Sequence, residues 1–175
     1  MCYSAAAISN FFIEKSQKLG KSISNMKLQK MIFFAHAAFF KQNQKPLFSD
    51  PVVAWQHGPV VESIYHALKK YGDGSVTEMI TRFEPSNDDT FRGYHVVTPV
   101  VRNDDYEVVS FLNSAWEKLY PIDTWRLRML SHAEGGAWYK TVQGQNIDPK
   151  DDDAVYQNLP RNLTILDSVI QECGR

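Results

Sequence analysis

Apolar residues recur along this chain at helical spacing, and the pattern is densest over residues 26–40, MKLQKMIFFAHAAFF. On a wheel of about 100° per residue, Leu28, Met31, Ile32, Ala35 and Phe39 share one stripe. The opposite side is apolar too, with Phe33, Ala37 and Phe40, and only Lys27, Lys30 and Lys41, flanking Phe34, leave a narrow strip for water. A helix that is apolar nearly all round is buried on several faces, so this segment is expected to be the helix the rest packs around. Ser24 or Asn25 can cap its start. With Ser24 as cap, Ile23 and Leu28 take the hydrophobic-staple positions, while Lys27 stands where a capping box would need Glu or Gln.

Around this helix the pattern predicts several shorter elements. Residues 4–19 read as an amphipathic helix with Ser4 as cap, a stripe of Ile8, Phe11, Phe12 and Leu19, and Gly20 as the stop. The polar stretch 42–46 ends in proline and terminates the central helix. Residues 51–55 are short and β-branched, an extended segment. His57-Gly58-Pro59 is expected to open another helix, because the missing N–H of Pro59 suits a first helical position. Its inner stripe is Val60, Val61, Ile64 and Leu68, with Tyr65 at the edge, and the glycines at 72 and 74 end it. Residues 79–83 and 94–101, rich in β-branched and aromatic side chains around a polar turn at 84–90, predict a small β-hairpin. Asp104-x-x-Glu107 has capping-box form and precedes a helix with Val108, Leu112, Ala115, Trp116 and Leu119 on one face, broken by Pro121. Asp123 caps a short helix carrying Trp125, Leu127, Met129 and Leu130. Gly135-Gly136 then interrupts the chain before Trp138-Tyr139. Residues 146–153 read as an exposed acidic loop, and 162–173 as a last helix with Leu163, Leu166, Val169 and Ile170 inward. The expected fold is mainly α: one compact helical domain around a buried central helix, with a small β-hairpin or short sheet.

Composition bounds the function. The 175 residues are enough for one domain with a proper core. A net charge of −1 gives no general attraction to nucleic acid or membrane, although residues 1–50 carry seven lysines against Glu14 and Asp50, a net of +5. Those lysines, interleaved with Phe11, Phe12, Phe33 and Phe34, keep a nucleic-acid surface in view. The phenylalanines fall mostly on core stripes, however, and no arginine occurs in the first fifty residues. Cys2 and Cys173 lie at the two ends and make no disulfide framework, so a reducing cytoplasm is the expected setting. No signal peptide is visible, and the central apolar run falls short of the roughly 20 residues a membrane span needs. The five histidines (His36, His57, His66, His95 and His132) show no metal-ligand spacing, and His132-Ala133-Glu134 lacks the PCxxC partner of the zinc deaminases. Cys2, following Met1, is a candidate N-terminal nucleophile on the strength of one residue. Neither a metal nor a cofactor is expected.

Three blocks of residues go further. The first is Met26-Lys27-Leu28-Gln29-Lys30-Met31 with the aromatic run after it. The second is Lys45-Pro46-Leu47-Phe48, followed by Ala54-Trp55-Gln56-His57-Gly58-Pro59-Val60-Val61 and Ile64-Tyr65. The third is Leu130-Ser131-His132-Ala133-Glu134, followed by Trp138. In this order they resemble the Panacea antitoxin domain family, which includes GepA-type phage-associated proteins and SocA-like antitoxins. That family's pattern runs as KLQKLLYFA, KPLF, AWxxGPVVxxxY and LTHxExPW. The resemblance covers about residues 8–140 of a single domain, 1–175, and leaves a divergent C-terminal loop and helix at 146–175. Ser131 replaces the family's Thr, and Gly135-Gly136-Ala137 replaces a shorter link with Pro before Trp138.

The resemblance implies a non-enzymatic, prokaryotic or phage antitoxin that binds a co-encoded protein toxin and, in one branch, delivers it to a protease. It marks Lys27, Gln29, Lys30, Trp55, His57, Gly58, Pro59, Tyr65, His132, Glu134 and Trp138 as signature or partner-binding positions. For Trp55, Gly58 and Pro59 a structural role is expected. For His132, Glu134 and Trp138 a His–Glu hydrogen bond that pins the loop and a partner contact both stay open. The alternatives to an antitoxin are an autoregulatory DNA binder and a hydrolase using Cys2 or His132 and Glu134. Whether the chain forms homo-oligomers is left open.

Overall fold

The computed structural model describes residues 2–85, 93–133, 136–141 and 146–147. Helix α1 runs over Ala5–Lys18 and helix α2 over Asn25–Asn43. The hydroxyl of Ser4 accepts from the Ala7 N–H, and that of Ser24 from the Lys27 N–H. Each satisfies a donor that a helix start leaves without an intrahelical partner. Helix α2 ends on Gln44, which adopts the left-handed conformation at φ 53°. Strands β1 (Val52–Trp55) and β2 (Gly58–Val60) form a hairpin closed by Gln56 and His57. Helix α3 (Glu62–Leu68) and a 3-10 turn (Lys69–Tyr71) follow. Strands β3 (Arg82–Pro85) and β4 (Tyr94–Val97) pair antiparallel as a second hairpin. Helices α4 (Tyr106–Leu119), α5 (Thr124–Ser131) and α6 (Ala137–Lys140) precede the two-residue strand β5 (Asn146–Ile147), which adds to the first sheet in the order β2-β1-β5.

The fold is mainly α, as the pattern predicts. Helix α2 packs against α1, α3, α4, α5 and β2, and every residue of it from Leu28 to Phe39 is buried. The staple residues Ile23 and Leu28 are both buried. Around α2, Phe12 faces Trp116, Trp116 stacks on Tyr120 at 4.2 Å, and Phe39 meets Phe111 edge-on at 5.1 Å. Each such aromatic contributes about 1.5–3 kcal/mol by leaving water. His36 lies inside this core, its ring 4.1 Å from that of Phe48, and burial lowers its pKa to about 4.

Several expectations are corrected. His57-Gly58-Pro59 does not start a helix. Gly58 sits at φ +102°, closes the hairpin turn opposite Trp55 and enters strand β2, while α3 begins only at Glu62. The missing N–H of Pro59 serves a strand edge here. The water-facing strip on α2 does not exist in the form expected, because Lys30 and Phe34 are both buried. Leu19, expected on the inner stripe of α1, is exposed. The cap of α4 is Asp105, not Asp104: its carboxylate accepts from the Val108 N–H and from the Tyr3 hydroxyl. Asn146 and Ile147 form a strand, whereas 148–153 and 162–173 lie outside the described residues.

The second hairpin is clasped to α1 by one buried side chain. Asn10 donates from Nδ2 to the carbonyls of Ile80 (2.9 Å) and Pro99 (2.8 Å), and its Oδ1 accepts from the Ile80 N–H (2.7 Å). Asn10→Ala leaves these backbone groups unpaired in the interior. It is expected to cost about 2–4 kcal/mol in urea unfolding and to speed hydrogen exchange at the Ile80 amide. His36 generates a pH dependence. Its folded pKa of about 4 lies below the ordinary 6.5, so unfolded chains bind the extra proton between these values. Stability should therefore fall by about 3 kcal/mol as pH drops from 6.5 to 4, a loss that His36→Leu removes.

Candidate functional site

The signature residues begin with a strand edge. Trp55 and Gly58 face each other across the turn, so Pro59 and Val61 turn their backbone groups away from β1. Those groups meet α2. Lys30 Nζ donates to the Pro59 carbonyl (3.1 Å), Gln29 Nε2 donates to the Val61 carbonyl (3.2 Å), and the Val61 N–H donates to Gln29 Oε1 (2.9 Å). Pro59 has no N–H to leave unpaired. Two neighbouring residues of α2 thereby complete the outer edge of β2, which joins the QK of the first block to the GPVV of the second.

The ammonium of Lys30 is deeply placed, with 1% of the residue exposed. Burial, and then the nearby positive Arg128, lower its pKa to about 7. A Cβ on residue 58 would stand 2.5 Å from Lys30 Nζ, 2.8 Å from Ser131 Oγ and 3.0 Å from His132 Cε1. Glycine is required there by space as well as by its positive φ. The third block closes on the hairpin from the far side. His132 Nδ1 donates to the Arg128 carbonyl (2.7 Å), its Nε2 lies 3.4 Å from the Gln56 carbonyl, and its ring sits 3.9 Å from that of Trp138. Trp138 Nε1 donates to the Trp55 carbonyl at 2.6 Å. Among the described residues, the Arg128 carbonyl of α5 is the acceptor that holds His132.

Between the start of α2, the hairpin and α3 lies an open cleft of about 330 Å³, its lining including Asn25, Gln29, Lys30, Trp55, His57 and Tyr65. The Trp55 and Tyr65 rings meet edge-on at 4.7 Å and wall it. Gln29, Lys30, Trp55, His57, Gly58, Pro59, Tyr65, His132 and Trp138 thus all gather on or around one hairpin. Lys27 stands apart: its Nζ donates to the Tyr120 and Ile122 carbonyls (2.6 and 2.8 Å), on the α4–α5 link. Glu134 lies outside the described residues.

Sequence reasoning missed Arg128 and Trp125. Arg128 donates to His57 Nδ1 (3.2 Å) and stacks 4.8 Å over the Trp125 ring, which is 63% exposed. The spacing of Arg128 and His132, four apart at the end of a helix, was the available signal.

Phe12, Phe33 and Phe34 are buried and Phe11 packs against the core, so they offer no stacking platform to nucleic acid. Cys2 is exposed, and partial desolvation raises the pKa of its thiol. Among the described residues no three His, Cys, Asp or Glu side chains are placed to hold a metal, and no helix is long and apolar enough to cross a membrane.

Comparison with known proteins bears on the same region. A family model described as "Antitoxin SocA-like, Panacea domain" matches residues 28–139. Antitoxin SocA of Caulobacter vibrioides (strain NA1000 / CB15N) is 26% identical over 168 residues, covering 96% of this chain and 80% of that relative. No solved structure matches the chain significantly.

The buried ammonium makes stability depend on pH. The folded pKa of Lys30, about 7, lies below the ordinary 10.5, so between these values the unfolded chain holds more protons and stability rises with pH. From pH 7 to pH 9 the Lys30 contribution should add about 2 kcal/mol. Urea midpoints at the two pH values measure this, and Lys30→Met should remove that increment.

Proposed function

The chain belongs to the SocA-like Panacea antitoxin domain family, and on that premise we propose that it neutralises a protein toxin encoded beside it by binding that toxin directly, without catalysing a reaction. One observation carries the reading beyond family membership. Exposed Trp125 stacks on Arg128, Arg128 reaches His57, and His57 lines the cleft walled by Trp55 and Tyr65. Tryptophan, tyrosine and arginine in a contiguous, half-exposed group are the residue types that anchor protein interfaces. Met129, exposed on the same helix, adds an adaptable apolar contact. Beneath them the hairpin is fixed by Gln29, Lys30 and Trp138, so the anchors are presented with little ordering left to do on binding.

Co-expression with the adjacent toxin gene tests this. The wild-type chain should restore growth and co-elute with the toxin on size exclusion. Trp125→Ala should leave the fold intact and weaken the complex at least about tenfold. Absence of both rescue and complex would remove the proposal. The toxin's half-life in cells then separates two modes: delivery to a protease shortens it, and sequestration does not.

A further inference from the structure

The floor of the cleft holds hydrogen-bonding groups that the protein itself does not use. The Lys30 ammonium has three N–H donors. One goes to the Pro59 carbonyl, and among the described residues nothing accepts the other two. Asn25, 94% buried and also lining the cleft, has an Oδ1 that accepts from nothing. Beside these two groups stand the apolar surfaces of Trp55, Tyr65 and Val60. A complementary ligand therefore brings an anionic acceptor for Lys30, an N–H donor for Asn25 and an apolar group for the aromatic wall, in a volume suited to one or two residues.

Resting on the partner-binding reading above, we propose that this cleft captures the C-terminal residue of a partner protein, its terminal carboxylate on Lys30, its backbone N–H on Asn25 and its side chain against Trp55 and Tyr65. Only at a chain end does one residue carry a carboxylate, a neighbouring amide N–H and a free apolar side chain together. An internal Asp or Glu engages the cation with its side chain and has none left for the wall. A simple anion satisfies Lys30 but offers Asn25 no donor and leaves the aromatic rings uncovered. Lys69 on the cleft lining reinforces the positive field, against the single acid Asp73. Capture of a chain terminus by fixed donors is an established mode of peptide recognition.

The test uses the full chain, ¹⁵N-labelled, titrated with N-acetyl-Gly-Phe as the free acid, as its C-terminal amide, and as the free acid N-methylated at Phe, with acetate and inorganic phosphate as further probes. The free acid should give saturable shifts at the Trp55 indole and the Gln29 side-chain amide, and bind at least about tenfold tighter than the amide. The N-methyl acid should bind more weakly, and Lys30→Met should erase the preference for acid over amide. Should that variant not fold, the N-methyl acid still probes the site from the ligand side. Equal binding of acid and amide, binding of acetate or phosphate as tight as that of the peptide acid, or no shifts up to about 10 mM would overturn the inference. If the peptide acid fails while the toxin complex forms, only this inference falls; if the acid binds and the toxin does not, the proposed partner is wrong and the cleft stands.

Discussion

Removing one ammonium group from water conditions the whole signature region. A buried cation costs several kcal/mol unless it is paired, and among the described residues no carboxylate pairs with Lys30. It is held by one carbonyl, that of Pro59, at the edge of a three-residue strand. The carbonyl comes within reach because the preceding residue has no side chain: a Cβ at Gly58 would run into Lys30, Ser131 and His132 at once. Three stretches far apart in the chain, around residues 30, 58 and 131, are therefore solved together, and a change in one must be answered in the other two. The three blocks of the sequence are thereby one packing unit in space.

The arrangement divides labour between floor and rim. The floor is backbone held by side chains: Val61 by Gln29, Pro59 by Lys30, Trp55 by Trp138. The rim is side chains turned to solvent, with Trp125 and Met129 presented from a helix that buries only Leu127 and Ser131. A change of partner can be met at the rim while the floor is kept.

What was legible in the sequence was local. Ser4, Ser24 and Asp123 as caps, the α4 stripe from Val108 to Leu119 and the burial of α2 all follow from spacings within one turn or one helix. Lys30 was not legible, because a helical wheel sends a lysine to water by default and its acceptor lies 29 residues away. Pro59 was misread for a related reason. A proline without an N–H suits a helix start and a strand edge equally, and only the positive φ of Gly58 decides between them. For the short helix α5 the hydrophobic residues alone do not say which face is inward, and Trp125 and Met129 turn out to face solvent. The resemblance named the site positions. Their convergence on one hairpin, and the separation of Lys27 from it, needed the tertiary structure.

Short exposed strands usually carry a hazard, since their outward N–H and C=O groups offer a template to any other extended chain. On β2 that template is gone. Pro59 has no N–H, and its carbonyl and both polar groups of Val61 are occupied by α2. Copies of this protein cannot polymerise edge to edge through β2 however crowded they become, and no passing strand can graft itself onto the hairpin there. Whatever docks beside it must be recognised by side chains, which distinguish one sequence from another, instead of by backbone, which does not.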